Sequence, residues 1–126
     1  MVQFVAVAVG AMLGANLRFV VGTWAAERWG TDFPYGTFLV NISGAFAVGV
    51  ILAFIVEKAG LSPLWRLFFV TGFLGGYTTF SSYAWEALSL AERGAWLRAA
   101  LYVLGSNLLG FIGVWLGATL ARLAPL

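Results

Sequence analysis

The chain has 126 residues, 62% of them hydrophobic and 10% charged, with a formal net charge of +2. A soluble fold of that length has no means of hiding so much apolar surface, so the solvent is lipid. The lack of cysteine and histidine excludes disulfides, thiolate chemistry, haem ligation, the usual zinc sites and the commonest general base, and the small dispersed charge gives no footprint for nucleic acid.

Charge-free runs predict one transmembrane domain over residues 1–126, with four spans at about 2–24, 35–56, 67–88 and 99–121. Each is near the roughly 20 residues needed to cross a bilayer. The first apolar run reaches spanning length without a basic flank, so no separate signal peptide is expected. Span one carries Gly10 and Gly14, a G-x-x-x-G face on which another helix can approach closely. Arg18, the one charge inside this span, either snorkels to the interface or partners a carboxylate or backbone carbonyls. The segment Ala25–Phe33 is expected to be a loop, closed by Pro34.

Span two contains no charge, and Thr37, Asn41 and Gly44 share one helical face. An intramembrane asparagine often serves only as an interhelical hydrogen bond. Its NH₂ also offers two donors, which a dehydrated anion needs. Ser62-Pro63 reads as the start of the next helix.

Span three holds the most unusual stretch, Gly72-Phe73-Leu74-Gly75-Gly76-Tyr77-Thr78-Thr79-Phe80-Ser81-Ser82-Tyr83, followed by Glu86. Each glycine costs roughly 1 kcal/mol against alanine inside a helix, so the helix is predicted to break at Gly72–Gly76. Irregular backbone at membrane depth is tolerated only where protein buries it or it lines a wet cavity. A break followed by hydroxyls is therefore a candidate ion site. In span four, Tyr102, Ser106 and Gly110 line one stripe with Asn107 beside it, and Gly113 and Gly117 form another close-packing face.

Four spans place both termini on one side. Lys58, Arg66 and Arg122 lie on that side and Arg28, Arg93 and Arg98 on the other, three against three, with Arg18 inside its helix assigned to neither. Orientation normally follows the lysine and arginine bias of short loops. Balance predicts insertion both ways and antiparallel pairing of two copies. Four short helices are also too few to enclose a polar pathway, which independently favours an oligomer.

Together these motifs resemble the Fluc (CrcB) family of fluoride channels over nearly the whole chain. The matching pieces are Gly10-x-x-x-Gly14-Ala15-x-x-Arg18-Phe19, then Gly36-Thr37-Phe38-x-Val40-Asn41-x-x-Gly44, then the stretch from Gly72 to Tyr83 with Glu86, then Tyr102 and Ser106-Asn107. The resemblance implies an all-α, antiparallel, dual-topology homodimer in the cell inner membrane or plasma membrane. It further implies two fluoride pores per dimer and a central structural sodium ion, held by main-chain carbonyls that match Gly75 and Thr78. A hard cation wants oxygen ligands, and unwound backbone supplies them. The family's pore phenylalanines match Phe80 and Tyr83, whose ring edges carry the positive end of the aromatic quadrupole. Tyr83 departs from the commoner phenylalanine. The pore asparagine matches Asn41 and the polar track matches Tyr102 and Ser106, with Thr79 and Ser82 on a related face. Glu86 suits a paired role, because a bare carboxylate repels an anion.

The function so implied is passive export of cytoplasmic fluoride, relieving its toxicity. The rival reading is a small dual-topology multidrug or cation exporter. Such a transporter needs an intramembrane acid to exchange for protons, and span one offers Arg18 and no acid. No nucleophile–base pair suggests an enzyme.

Overall fold

The structure, a computed structural model, describes residues 1–125, with Val56 and Lys58 described by backbone alone. The side-chain contribution of Lys58 to the charge balance therefore lies outside the described residues. All regular structure among the described residues is helical.

Helix α1 runs over Val2–Trp29, about 42 Å at 1.5 Å per residue. It continues through Ala25–Trp29, which were expected to be loop, because no breaker comes before Gly30. Gly30 then terminates it with a φ of 79°. Helix α2, Tyr35–Leu52, starts behind Pro34 and widens into a π-helical turn at Ala53–Lys58. The next membrane segment comes in pieces: α3 at Pro63–Arg66, a π-helical stretch at Leu67–Leu74, α4 at Gly75–Tyr77, and α5 at Phe80–Glu92. Ser62 caps α3 as its position before Pro63 predicted, its Oγ accepting the Leu64 N–H at 3.3 Å. Helix α6, Trp96–Leu123, closes the chain.

Val2–Trp29, Tyr35–Ile55 and Trp96–Leu123 are each long and apolar enough to cross a membrane unbroken. The pieced segment runs alongside α1, while α2 packs along α6. Both pairings rest on backbone contact. A Cβ on Gly49 would collide with the Val114 carbonyl, and one on Gly117 with the Phe46 carbonyl. Such close approach gives helices dispersion contacts in a solvent that offers no hydrophobic drive.

The far ends of α2 and α6 are clasped by an ion pair. Arg122 donates from Nε and one Nη to the two Glu57 carboxylate oxygens, each at 2.7 Å. These hydrogen bonds hold the Glu57 carboxyl below its ordinary range. The clasp therefore contributes above the usual carboxylate pKa and is lost as pH falls through the lowered value. Both side chains are about half exposed, so the contribution is small.

Candidate functional site

The helix breaks at Thr78–Thr79, not at Gly72–Gly76. Thr78 has φ −82° and ψ 157°, and Thr79 has φ −149° and ψ 116°, both extended. Gly72, Gly75 and Gly76 are helical, and none has positive φ. Two adjacent β-branched threonines favour extended backbone for steric reasons. Gly72 and Gly76 serve α1 instead. A Cβ on Gly72 would lie 2.8 Å from the Val7 carbonyl oxygen, and one on Gly10 would lie 2.8 Å from the Phe73 nitrogen. They let two backbones touch and leave the unwinding to the residues that follow.

Asn41 secures the break from α2. Its Oδ1 accepts the Thr79 N–H at 2.8 Å, and its Nδ2 donates to the Thr79 carbonyl at 3.0 Å. The side-chain amide thus acts as a peptide group for a residue that has left the helix. One Nδ2 hydrogen remains beyond this pairing. Thr79 Oγ1 in turn caps α5, accepting the Ser82 N–H at 3.2 Å and donating to Ser82 Oγ at 3.1 Å.

These two diversions leave particular carbonyls without their helical donors. In an unbroken helix the Thr79 N–H would bond to the Gly75 carbonyl and the Ser82 N–H to the Thr78 carbonyl. Here the first goes to Asn41 and the second to Thr79 Oγ1. Thr78 itself turns back, its N–H and Oγ1 both donating to the Leu74 carbonyl, at 2.9 and 2.8 Å.

Two hollows meet at the break, and a third adjoins the second of them. One of about 420 Å³ is lined by Asn41, Gly44, Gly75, Thr78, Thr79 and Phe80 among others. A second, about 300 Å³, is lined by Arg18, Thr37, Thr79 and Ser82 with Ala15 and Phe19. A third, about 290 Å³, opens between the Gly30–Tyr35 connection and the end of α5, and includes Thr37, Glu86, Ser89 and Arg93. Thr79 borders the first two and Thr37 the last two, so the hollows adjoin one another in a series. Arg18 Nε is buried in the protein without a hydrogen-bond partner among the described residues. It makes no ion pair there with a carboxylate.

Glu86 has the paired setting that its charge calls for. Thr37 Oγ1 donates to one carboxylate oxygen at 2.8 Å, and the Tyr102 hydroxyl donates to the other at 2.6 Å. Tyr102 is fully buried, with the Phe33 ring edge-on at 5.4 Å, and its hydroxyl proton is taken by Glu86. It is thus a support for Glu86 rather than an open donor. Ser106, one turn further along α6, has a buried Oγ without a hydrogen-bond partner among the described residues.

Phe80 stands 78% exposed beside the break, its ring 5.6 Å from that of Tyr83. The Tyr83 ring lies 5.3 Å from Tyr102, and its hydroxyl accepts from Asn107 Nδ2 at 2.9 Å. Sequence reasoning placed Asn107 beside the polar stripe without assigning it a site role. It also overlooked Tyr77, whose hydroxyl bonds Ser43 Oγ at 2.9 Å and fastens the segment just before the break to α2. The available signal was chemical: in an apolar span, each hydroxyl or amide needs a partner.

The architecture defines a multi-pass helical membrane protein with a helix break at which hydroxyls, an amide and released carbonyls converge. The chain belongs to the CrcB-like family: residues 5–118 match the family described as CrcB-like protein, Camphor Resistance (CrcB). It is 51% identical over 123 residues to a protein of Roseiflexus sp. (strain RS-1), a match covering 98% of this chain and 99% of that one. It is 47% identical over 120 residues to a protein of Chloroflexus aurantiacus (strain ATCC 29366 / DSM 635 / J-10-fl), covering 95% of each. A protein of Acidobacterium capsulatum is 47% identical over 115 residues, covering 91% of this chain and 92% of its own. All three are named fluoride-specific ion channel FluC.

Proposed function

We propose that the chain is a fluoride-specific channel that exports cytoplasmic fluoride passively across the cell inner membrane or plasma membrane. The observation that carries this reading is the break fixed by Asn41, where hydrogen-bonding groups and the Phe80 side chain gather in a span otherwise built for lipid. The names of the relatives favour a fluoride channel over a multidrug or cation exporter, and a channel is not an enzyme.

The working unit is an antiparallel homodimer of dual topology with two pores. The open hollow beside the break and the exposed Phe80 support this, because lipid cannot satisfy polar backbone. A second copy turned end for end supplies the missing wall. The Gly75 and Thr78 carbonyls, whose helical donors are diverted, suit a structural sodium ion at the centre. Two carbonyls from each copy give a hard cation neutral oxygen ligands, and its charge favours a nearby anion.

Fluoride gives up its water reluctantly, so the pore must replace that shell. The remaining Asn41 N–H, the hydroxyls of Ser106 and Ser82, and the ring edges of Phe80 and Tyr83 are the groups proposed to do so, with the Thr79 hydroxyl donating to Ser82 and holding it in place. Arg18 adds positive potential to the hollow it lines.

The test is efflux from proteoliposomes with fluoride and chloride recorded separately. Rapid fluoride release with little chloride is expected, whereas silence for fluoride, or equal flux of both, overturns the proposal. Phe80→Ile should lower fluoride flux at least about tenfold, the effect of roughly 1.4 kcal/mol in the passage of the ion. Dimer assembly by size-exclusion chromatography should be retained. Normal flux in this variant removes Phe80 from the pore.

A further inference from the structure

The Tyr83 hydroxyl has a hydrogen-bond geometry unlike that of the other tyrosines near the break. Asn107 Nδ2 donates both to the Val103 carbonyl of its own helix, at 2.8 Å, and to Tyr83 Oη, at 2.9 Å. The atom facing the Val103 carbonyl must be a donor, which fixes the amide's orientation. The nitrogen of a primary amide carries two hydrogens and accepts nothing. Tyr83 Oη is therefore an acceptor toward Asn107, and its own proton is left to donate. None of the described residues takes that proton. By contrast, Tyr102 gives its proton to Glu86 and the Tyr77 hydroxyl is paired with Ser43.

We infer that Asn107 is a positioning residue that turns the Tyr83 hydroxyl into a hydrogen-bond donor for the permeating anion. This rests on the fluoride-channel reading. Tyr83 follows Phe80 by one turn of α5, with their rings 5.6 Å apart, so its hydroxyl belongs to the aromatic wall that Phe80 begins. Phe80 and Asn107 are both exposed in the single chain. An accepted hydrogen bond polarises an O–H and strengthens it as a donor, and hydrogen bonds to an ionised acceptor are the strong ones. At this position the pore thus has an O–H in addition to a ring edge. The buried Ser106 hydroxyl, adjacent to Asn107 in the chain, lies on the same helix.

A double-mutant cycle in proteoliposomes tests this, with fluoride efflux measured over a range of fluoride concentrations. The variants are Asn107→Leu, Tyr83→Phe, the two combined, and Asn107→Asp. Each single change to Leu or Phe should raise the half-saturating fluoride concentration roughly tenfold, the equivalent of one hydrogen bond to a charged group. The combined variant should be no worse than Tyr83→Phe alone. Asn107→Asp should be at least as impaired as Asn107→Leu, because a carboxylate takes the tyrosine proton instead of leaving it free.

An Asn107→Leu effect that persists undiminished in the Tyr83→Phe background overturns the inference, as does wild-type half-saturation in Asn107→Asp. Asn107 is exposed, and size-exclusion profiles check that every variant remains assembled. Should Asn107→Leu fail that check, the Asp and Phe variants decide the matter. A wild-type protein that releases no fluoride overturns the channel reading itself, an outcome distinct from an additive cycle.

Discussion

Asn41→Ala is expected to lower fluoride conduction roughly a hundredfold and to lower the unfolding temperature of the detergent-solubilised protein. The alanine leaves the Thr79 N–H and carbonyl without the two bonds that hold them, at 2.8 and 3.0 Å. An unsatisfied buried backbone group costs roughly 1–3 kcal/mol, so the pair costs about 2–6 kcal/mol. The backbone can recover by closing the helix across Thr78–Thr79. That closure hands the Thr79 N–H back to the Gly75 carbonyl and removes the proposed cation ligand. A loss of about 3 kcal/mol in site organisation corresponds to roughly a hundredfold in flux. Efflux assays and thermal melts on the same preparation separate the possible roles. Lost flux with an unchanged melt assigns Asn41 to the ion alone. Wild-type behaviour in both measurements removes it from break and pore together.

Gly14→Val should be the most damaging single substitution in α1. A Cβ at Gly14 would run into the Phe73 carbonyl and lie 2.8 Å from the Tyr77 nitrogen, both backbone atoms of the facing segment. No side-chain rotamer can relieve that clash. Overpacking typically costs about 1–3 kcal/mol and occasionally more, and an immovable backbone puts this site at the upper end. The variant should aggregate or elute as a broad distribution in size-exclusion chromatography, with little protein at the wild-type position. A sharp wild-type peak with an unchanged melting temperature would show that α1 does not need this approach. Gly22→Ala is the control, since a Cβ there meets nothing within 4 Å.

The apolar spans were legible in the sequence because lipid imposes a compositional signature that survives without any knowledge of contacts. Their ends were less so. Ala25–Trp29 carries good helix formers with charges, and a charge in the sequence does not stop a helix that has already left the hydrocarbon. The break was located several residues early, for a physical reason. Glycine weakens helices in water, whereas between membrane helices it buys close packing, and Gly72 and Gly76 both face α1. The extended pair Thr78–Thr79 follows from β-branching, which the run of glycines obscured.

Asn41 stood out as an intramembrane amide, yet its partner lies 38 residues away, and no local pattern encodes that distance. Glu86 was expected to need a partner. That Thr37 and Tyr102 supply it from two different helices emerges only once α2, α5 and α6 pack together. The same holds for Asn107, which is inconspicuous until α5 brings Tyr83 to it.

The substitute peptide group on Asn41 also fixes an order of events during biogenesis. Helix α2 is synthesised before the pieced segment, so the amide is already in place when Thr79 leaves the ribosome. Until the two segments meet, residues 67–92 in lipid have no partner for an interrupted backbone and are most stable as one continuous helix. Unwinding at Thr78–Thr79 is thus a late step of maturation, templated by a neighbouring helix. A chain in which α2 has not docked carries an uninterrupted third span, without the break that α2 imposes.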